Sequence, residues 1–109
     1  MTKTTDIVDV LVDAIYSSQT VSFVYDDKPR IVEVHALGES TKDGGLIMRG
    51  YQVAGESSRP LPAWALFTVS KIDALTPGFI KSEAPRDGYK LNDRAMQGII
   101  AQVALEEMA

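Results

Sequence analysis

The chain has no cysteine among its 109 residues, which excludes disulfides, thiolate metal sites and cysteine nucleophiles. It has a single histidine, His35, so metal or acid–base chemistry that needs paired imidazoles is excluded as well. No apolar run approaches the length of a membrane span, and Met1 to Asp6 lacks the basic and apolar regions of a signal peptide. A cytoplasmic protein with no membrane partner is expected. Positive charge is not in excess either. A net charge of −4 argues against holding duplex nucleic acid mainly by phosphate neutralisation. Gly38 and the Gly44-Gly45 pair open no helix and precede no Gly-Lys-Ser/Thr, so they read as turn glycines rather than a phosphate loop, and no cofactor is implied.

What is present is an ordinary globular balance, 45% apolar and 24% charged, in a length that suits one domain, 1–109, with one core. From Thr5 to about Ser18 the apolar residues Ile7, Val8, Leu11, Ala14 and Ile15 recur at three- and four-residue spacing, predicting a helix over 5–18 with Thr5 as N-cap. Val21 to Tyr25 alternates like a strand, Asp26 to Pro29 turns the chain, and Arg30 to His35 follows as a hairpin partner. Lys42 to Gly45 is a second turn, leading into a strand from Leu46 to about Val53, where Gly50 marks a bulge or a close backbone approach. Trp64 to Val69 is a fourth strand. Lys71 to Leu75 adds a short fifth before Thr76-Pro77-Gly78 breaks it.

Residues 77–91 have no clean period and read as a connector. Asn92 or Asp93 is placed to cap a final helix over 92–108, with Met96, Ile99, Ile100, Val103 and Glu107 at helical spacing. Short antiparallel strands over 21–76, flanked by helices, are expected to close as a barrel, which removes exposed edges.

Three of these segments, taken together, resemble the WYL domain, an SH3/Sm-like barrel attached to bacterial transcription regulators and defence proteins. Arg30 to Leu37 is similar to the family's stretch of arginine, two hydrophobics, an acid and proline. Leu46 to Tyr51 is similar to the strand that gives the family its name, and Phe67 to Ile72 to its phenylalanine-to-isoleucine strand. Leu46, Ile47 and Met48 stand in place of Trp-Tyr-Leu, Val34 in place of the proline, and Ala65 where a basic residue is frequent. The resemblance implies a mostly β (α+β) fold, a small SH3/Sm-like barrel of about five antiparallel strands with an N-terminal and a C-terminal helix. It implies a free-standing ligand-sensing module for a nucleotide or single-stranded nucleic acid, not an enzyme.

The candidate ligand-binding residues are Arg30, Arg49, Tyr51, Trp64, Lys71 and His35. A guanidinium suits a phosphate bidentately, and an aromatic ring stacks on a base. The plainer alternative makes the cations exposed ends or partners of Glu33 and Asp73, His35 a packing residue, and Trp64 a plug of the core rather than a stacking platform. Arg49 and Tyr51 share one face of their strand. Ser57-Ser58 lies in a loop with no reason to meet His35 and a carboxylate, so a catalytic triad is not expected. A second functional expectation is a self-assembling or protein-interaction module acting through sheet edges and the final helix, hence a homo-oligomer.

Overall fold

A computed structural model describes residues 4–105. Its one α-helix, α1 (Thr4–Ser17), begins one residue before the expected N-cap, so Thr5 lies inside it. Ser18, just beyond the helix, takes the left-handed conformation, φ +56°. Strand β1 (Gln19–Tyr25) turns through Asp26 and Asp27, both at positive φ as a two-residue hairpin loop requires, into the 13-residue β2 (Lys28–Ser40). Then follow β3 (Leu46–Gly55), β4 (Ala63–Thr68), a single 3-10 turn at Val69–Lys71, β5 (Asp73–Lys81) and β6 (Met96–Gln102).

All the strand pairings are antiparallel, in the order β4-β3-β2-β1-β5, with β6 also paired to β2. β4 and β5, at the two ends, do not pair with each other, so the sheet is open and the expected SH3/Sm-like barrel does not form. One face of the sheet is closed by α1 instead. Ile7, Leu11, Ala14 and Ile15 form one core cluster with Val21, Phe23, Val32, Val34, Met48 and Phe67, and this packing does for the inner face what barrel closure would have done.

The expected C-terminal helix is also overturned, because Met96–Gln102 is a strand; residues 106–108 of that expectation, with Glu107, lie outside the described residues. The reason is in β2. Its first half, Lys28 to Glu33, pairs with β1, while its second half, Ala36 to Ser40, reaches beyond β1 and would leave a row of backbone N–H and C=O groups unmatched on that side. β6 fills the position, with Ala36 opposite Gln102 and Gly38 opposite Ile99. The cap signal belongs to a turn: the Asp93 side chain accepts from the Ala95 N–H at 2.9 Å, an Asx-type bond that looks the same in sequence as an N-cap.

Nor does Thr76-Pro77-Gly78 end β5. Pro77 sits opposite Val21 on an end strand, where a proline is tolerated. Gly78 approaches β1 so closely that a Cβ there would lie 2.3 Å from Thr20 Oγ1. At Gly50 it is a side chain rather than backbone that comes close, since a Cβ there would lie 2.3 Å from Val32 Cγ1.

Two irregularities set the faces of β2 and β3: Ile31 opposes Ala54 but Val32 opposes Gln52, so Val53 is an extra residue on β3. Val34 opposes Gly50 but Ala36 opposes Arg49, so His35 is an extra residue on β2. Val34 and Leu37 both remain in the core beneath α1, while Ala36 joins Ile47 and Met96 in a separate small cluster on the outer face.

Candidate functional site

On the outer face, alternation brings Glu33, Tyr51 and Trp64 into one row across β2, β3 and β4, as the pairs Glu33–Tyr51 and Tyr51–Trp64 show. The segment 82–95 crosses over this row and is fastened to it. Glu33, 2% exposed, takes the Arg86 guanidinium in a two-point bridge, Nε to Oε1 at 2.7 Å and Nη2 to Oε2 at 3.0 Å, and accepts the Glu83 N–H at 2.9 Å. Burial pushes the Glu33 carboxyl upward, but Arg86 and the Glu83 N–H outweigh it and hold the group below its ordinary value.

His35, fully buried, has both ring nitrogens engaged. Nδ1 lies 2.9 Å from the Glu33 carbonyl, which can only accept, so Nδ1 carries the proton. Nε2 accepts the Arg86 N–H at 3.1 Å. Burial pushes this imidazole below its usual range, against the pull of Glu33. It is a neutral anchor for the crossing segment.

Above His35 stands an aromatic group. The Trp64 ring is 4.6 Å from His35 and 5.1 Å from Tyr51 between centroids, and Tyr89 lies 5.2 Å from His35. Trp64 and Tyr89 are nearly parallel, 19° apart with centroids 6.5 Å apart. The indole N–H donates to the Asp87 carbonyl at 3.2 Å, and the Tyr89 hydroxyl to the Val103 carbonyl at 2.6 Å. Arg86 also lies over the Tyr51 ring, 5.1 Å from its centroid.

Beside these rings opens a cleft of about 650 Å³, whose lining includes Arg49, Trp64, Tyr89, Lys90, Asp93 and Arg94. Arg49 is bridged to Asp93, Nε to Oδ2 at 2.7 Å. That hydrogen bond is the main cause holding the Asp93 carboxyl below its usual range. Lys90 and Arg94 are exposed.

Of the residues expected from sequence, the structure brings Arg49, Tyr51, Trp64 and His35 together on the outer face. Arg30 is held elsewhere, over Tyr25 and Phe67, and Lys71 is exposed at the end of the 3-10 turn, so the three cations do not converge. Glu33 pairs with Arg86 rather than with any of them. Arg86, Tyr89, Lys90 and Arg94 were not readable, because a segment without a period gives no direction to its side chains. The one available signal was Glu33 and His35 two residues apart in a strand otherwise rich in β-branched residues. Among the described residues, no three His, Asp or Glu side chains stand close enough to share a metal ion, and no helix is long and apolar enough to cross a membrane.

Fold and site together define an open antiparallel sheet backed by one helix, with an aromatic, cation-rimmed cleft on the face opposite that helix. No protein-family model matches the chain, and no curated protein or solved structure is significantly similar to it.

Proposed function

We propose that the protein is a cytoplasmic, non-catalytic binding domain that takes a nucleotide or a short single-stranded nucleic acid in the outer cleft. One observation carries this reading: Trp64 and Tyr89, half-buried and nearly parallel, share that cleft with the exposed Lys90 and Arg94. Aromatic faces stack on bases of any sequence, and flanking cations meet the phosphates. The resemblance of the strand segments to WYL domains points to the same ligand class. Binding rather than catalysis is supported by His35, whose nitrogens are both committed to the backbone.

Trp64 is the only tryptophan, so its emission reports on the cleft directly. Titration with adenosine monophosphate and with a short oligothymidine is expected to quench it, and Arg94→Ala to weaken binding about tenfold, the loss of one hydrogen bond to a charged group. Unchanged emission with mononucleotides and oligonucleotides alike overturns the reading.

A second reading, self-association, rests on β5, since there is no final helix to present an apolar stripe. β5 ends the sheet order and carries Phe79, 104% exposed, beside Ile80 at 56%. Light scattering at micromolar concentration should then show a species heavier than 11.9 kDa that Phe79→Ser returns to monomer. A monomer in both removes this reading.

A further inference from the structure

We infer a second binding site, for a phosphate-type oxyanion, in a pocket of about 200 Å³ whose lining includes Arg30, Gln52, Ser57, Ser58, Arg59 and Asp26. It is separate from the outer cleft and does not rest on the function proposed for it.

The argument begins with charge. Arg49 and Arg86, the half-buried arginines of the outer face, are each bridged to a carboxylate. Arg30 is the remaining half-buried arginine, and among the described residues it forms no ion pair. Its guanidinium is held by neutral acceptors alone. Nε and Nη2 donate to the Tyr25 carbonyl at 3.3 and 3.0 Å, and Nη1 donates to Gln52 Oε1 at 3.2 Å.

Gln52 is itself 1% exposed and is fixed by donating through Nε2 to the Ala54 and Glu56 carbonyls at 3.1 and 2.9 Å. The Tyr25 and Phe67 rings lie 5.7 and 5.9 Å from the guanidinium carbon. Arg30 is therefore a positioned cation with N–H groups to spare and its charge uncompensated by any carboxylate.

Arg59 repeats the pattern at the rim. Its Nη2 donates to the Trp64 carbonyl at 2.6 Å, and it too forms no ion pair among the described residues. Two guanidinium groups fixed by carbonyls, with the hydroxyls of Ser57 and Ser58 in the same lining, make a donor-rich pocket that suits a tetrahedral dianion. Asp26 at the rim opposes it, being the one carboxylate in the lining.

Calorimetric titration of the wild-type protein with inorganic phosphate at constant ionic strength, against chloride as control, should give a single site. Arg59→Gln, an exposed change that leaves the core alone, should weaken it about tenfold or more, and Ser58→Ala severalfold. Asp26→Asn, which suits the positive φ of that residue, should tighten it. Parallel titrations with glycerol phosphate separate the sources: a monoester bound more tightly than free phosphate assigns the pocket to a phosphorylated molecule, and the reverse order to the free ion. Arg94→Ala should leave phosphate binding here unchanged, which keeps this site distinct from the outer cleft. No phosphate binding by the wild type, or binding indifferent to Arg59→Gln, overturns the inference.

Discussion

Glu33 and His35 are buried polar groups, and the Glu33 carboxylate and the His35 Nε2 find their partners only while segment 82–95 lies in place. Removing the Arg86 guanidinium leaves the Glu33 carboxylate buried beside a single backbone N–H. Arg86→Met is therefore expected to cost about 3 kcal/mol, measured by urea unfolding, because the remaining charge has lost its counter-ion. Glu33→Gln added to Arg86→Met should recover part of that loss, and a double variant whose cost equals the sum of the singles would show that the two groups do not interact.

His35 makes stability depend on pH. Its folded value lies below the ordinary 6.5, so as pH falls past about 6.5 the unfolded chain takes up a proton that the folded chain refuses, and stability declines. Glu33 and Asp93 lie below their ordinary 4.5 and 3.8, so the stability they contribute is present above those values and is lost below them. The melting temperature should fall in two stages on acidification, the first beginning near pH 6.5. Because His35 is the only histidine, His35→Gln should abolish the first stage alone, and an unchanged slope between pH 6.5 and 4.5 in that variant would disprove the assignment.

At the level of elements, α1, the first hairpin and the strands from Leu46 and Trp64 were legible, because each is settled by its own periodicity and turn residues. β6 was not. Met96, Ile99, Ile100 and Val103 fit a helical stripe, and what decides against it is the unmatched far half of β2, more than fifty residues earlier in the chain. The same limit governs the site: alternation put Arg49 and Tyr51 on one face, but nothing local announces that Arg86 and Tyr89 return to cover it.

Strand and helix make opposite demands on two neighbouring residues. In β6, Ile100 is 44% exposed and Ala101 is 3% exposed, whereas a helical stripe would bury Ile100. Ile100→Lys is expected to change stability by less than about 0.5 kcal/mol, and Ala101→Glu to cost about 3 kcal/mol or more. The reverse order in thermal unfolding would restore the helix.

Over the whole molecule, the acidic balance and the placing of cations act together. Arg49 and Arg86 are already neutralised, Lys90 and Arg94 flank one cleft, and Arg30 and Arg59 line a pocket of their own. They do not form the continuous basic stripe that a duplex backbone needs. Random-sequence duplex DNA should bind more weakly than micromolar in ~150 mM salt; submicromolar affinity in a filter or anisotropy assay would contradict this.

The extra residue on β2 has a consequence for how the gene can vary. Losing one codon elsewhere in a strand turns every later side chain to the opposite face and empties the core. Losing the codon for His35 does not, because the strand already carries one residue more than its partner there: Val34 and Leu37 stay beneath α1, and pairing with β3 becomes regular at that point. What position 35 supplies is anchorage for neighbouring chain, its ring taking the Arg86 N–H and its carbonyl the Val103 N–H, so a length change at this one codon loosens the cover of the outer face while the core residues beneath it keep their side.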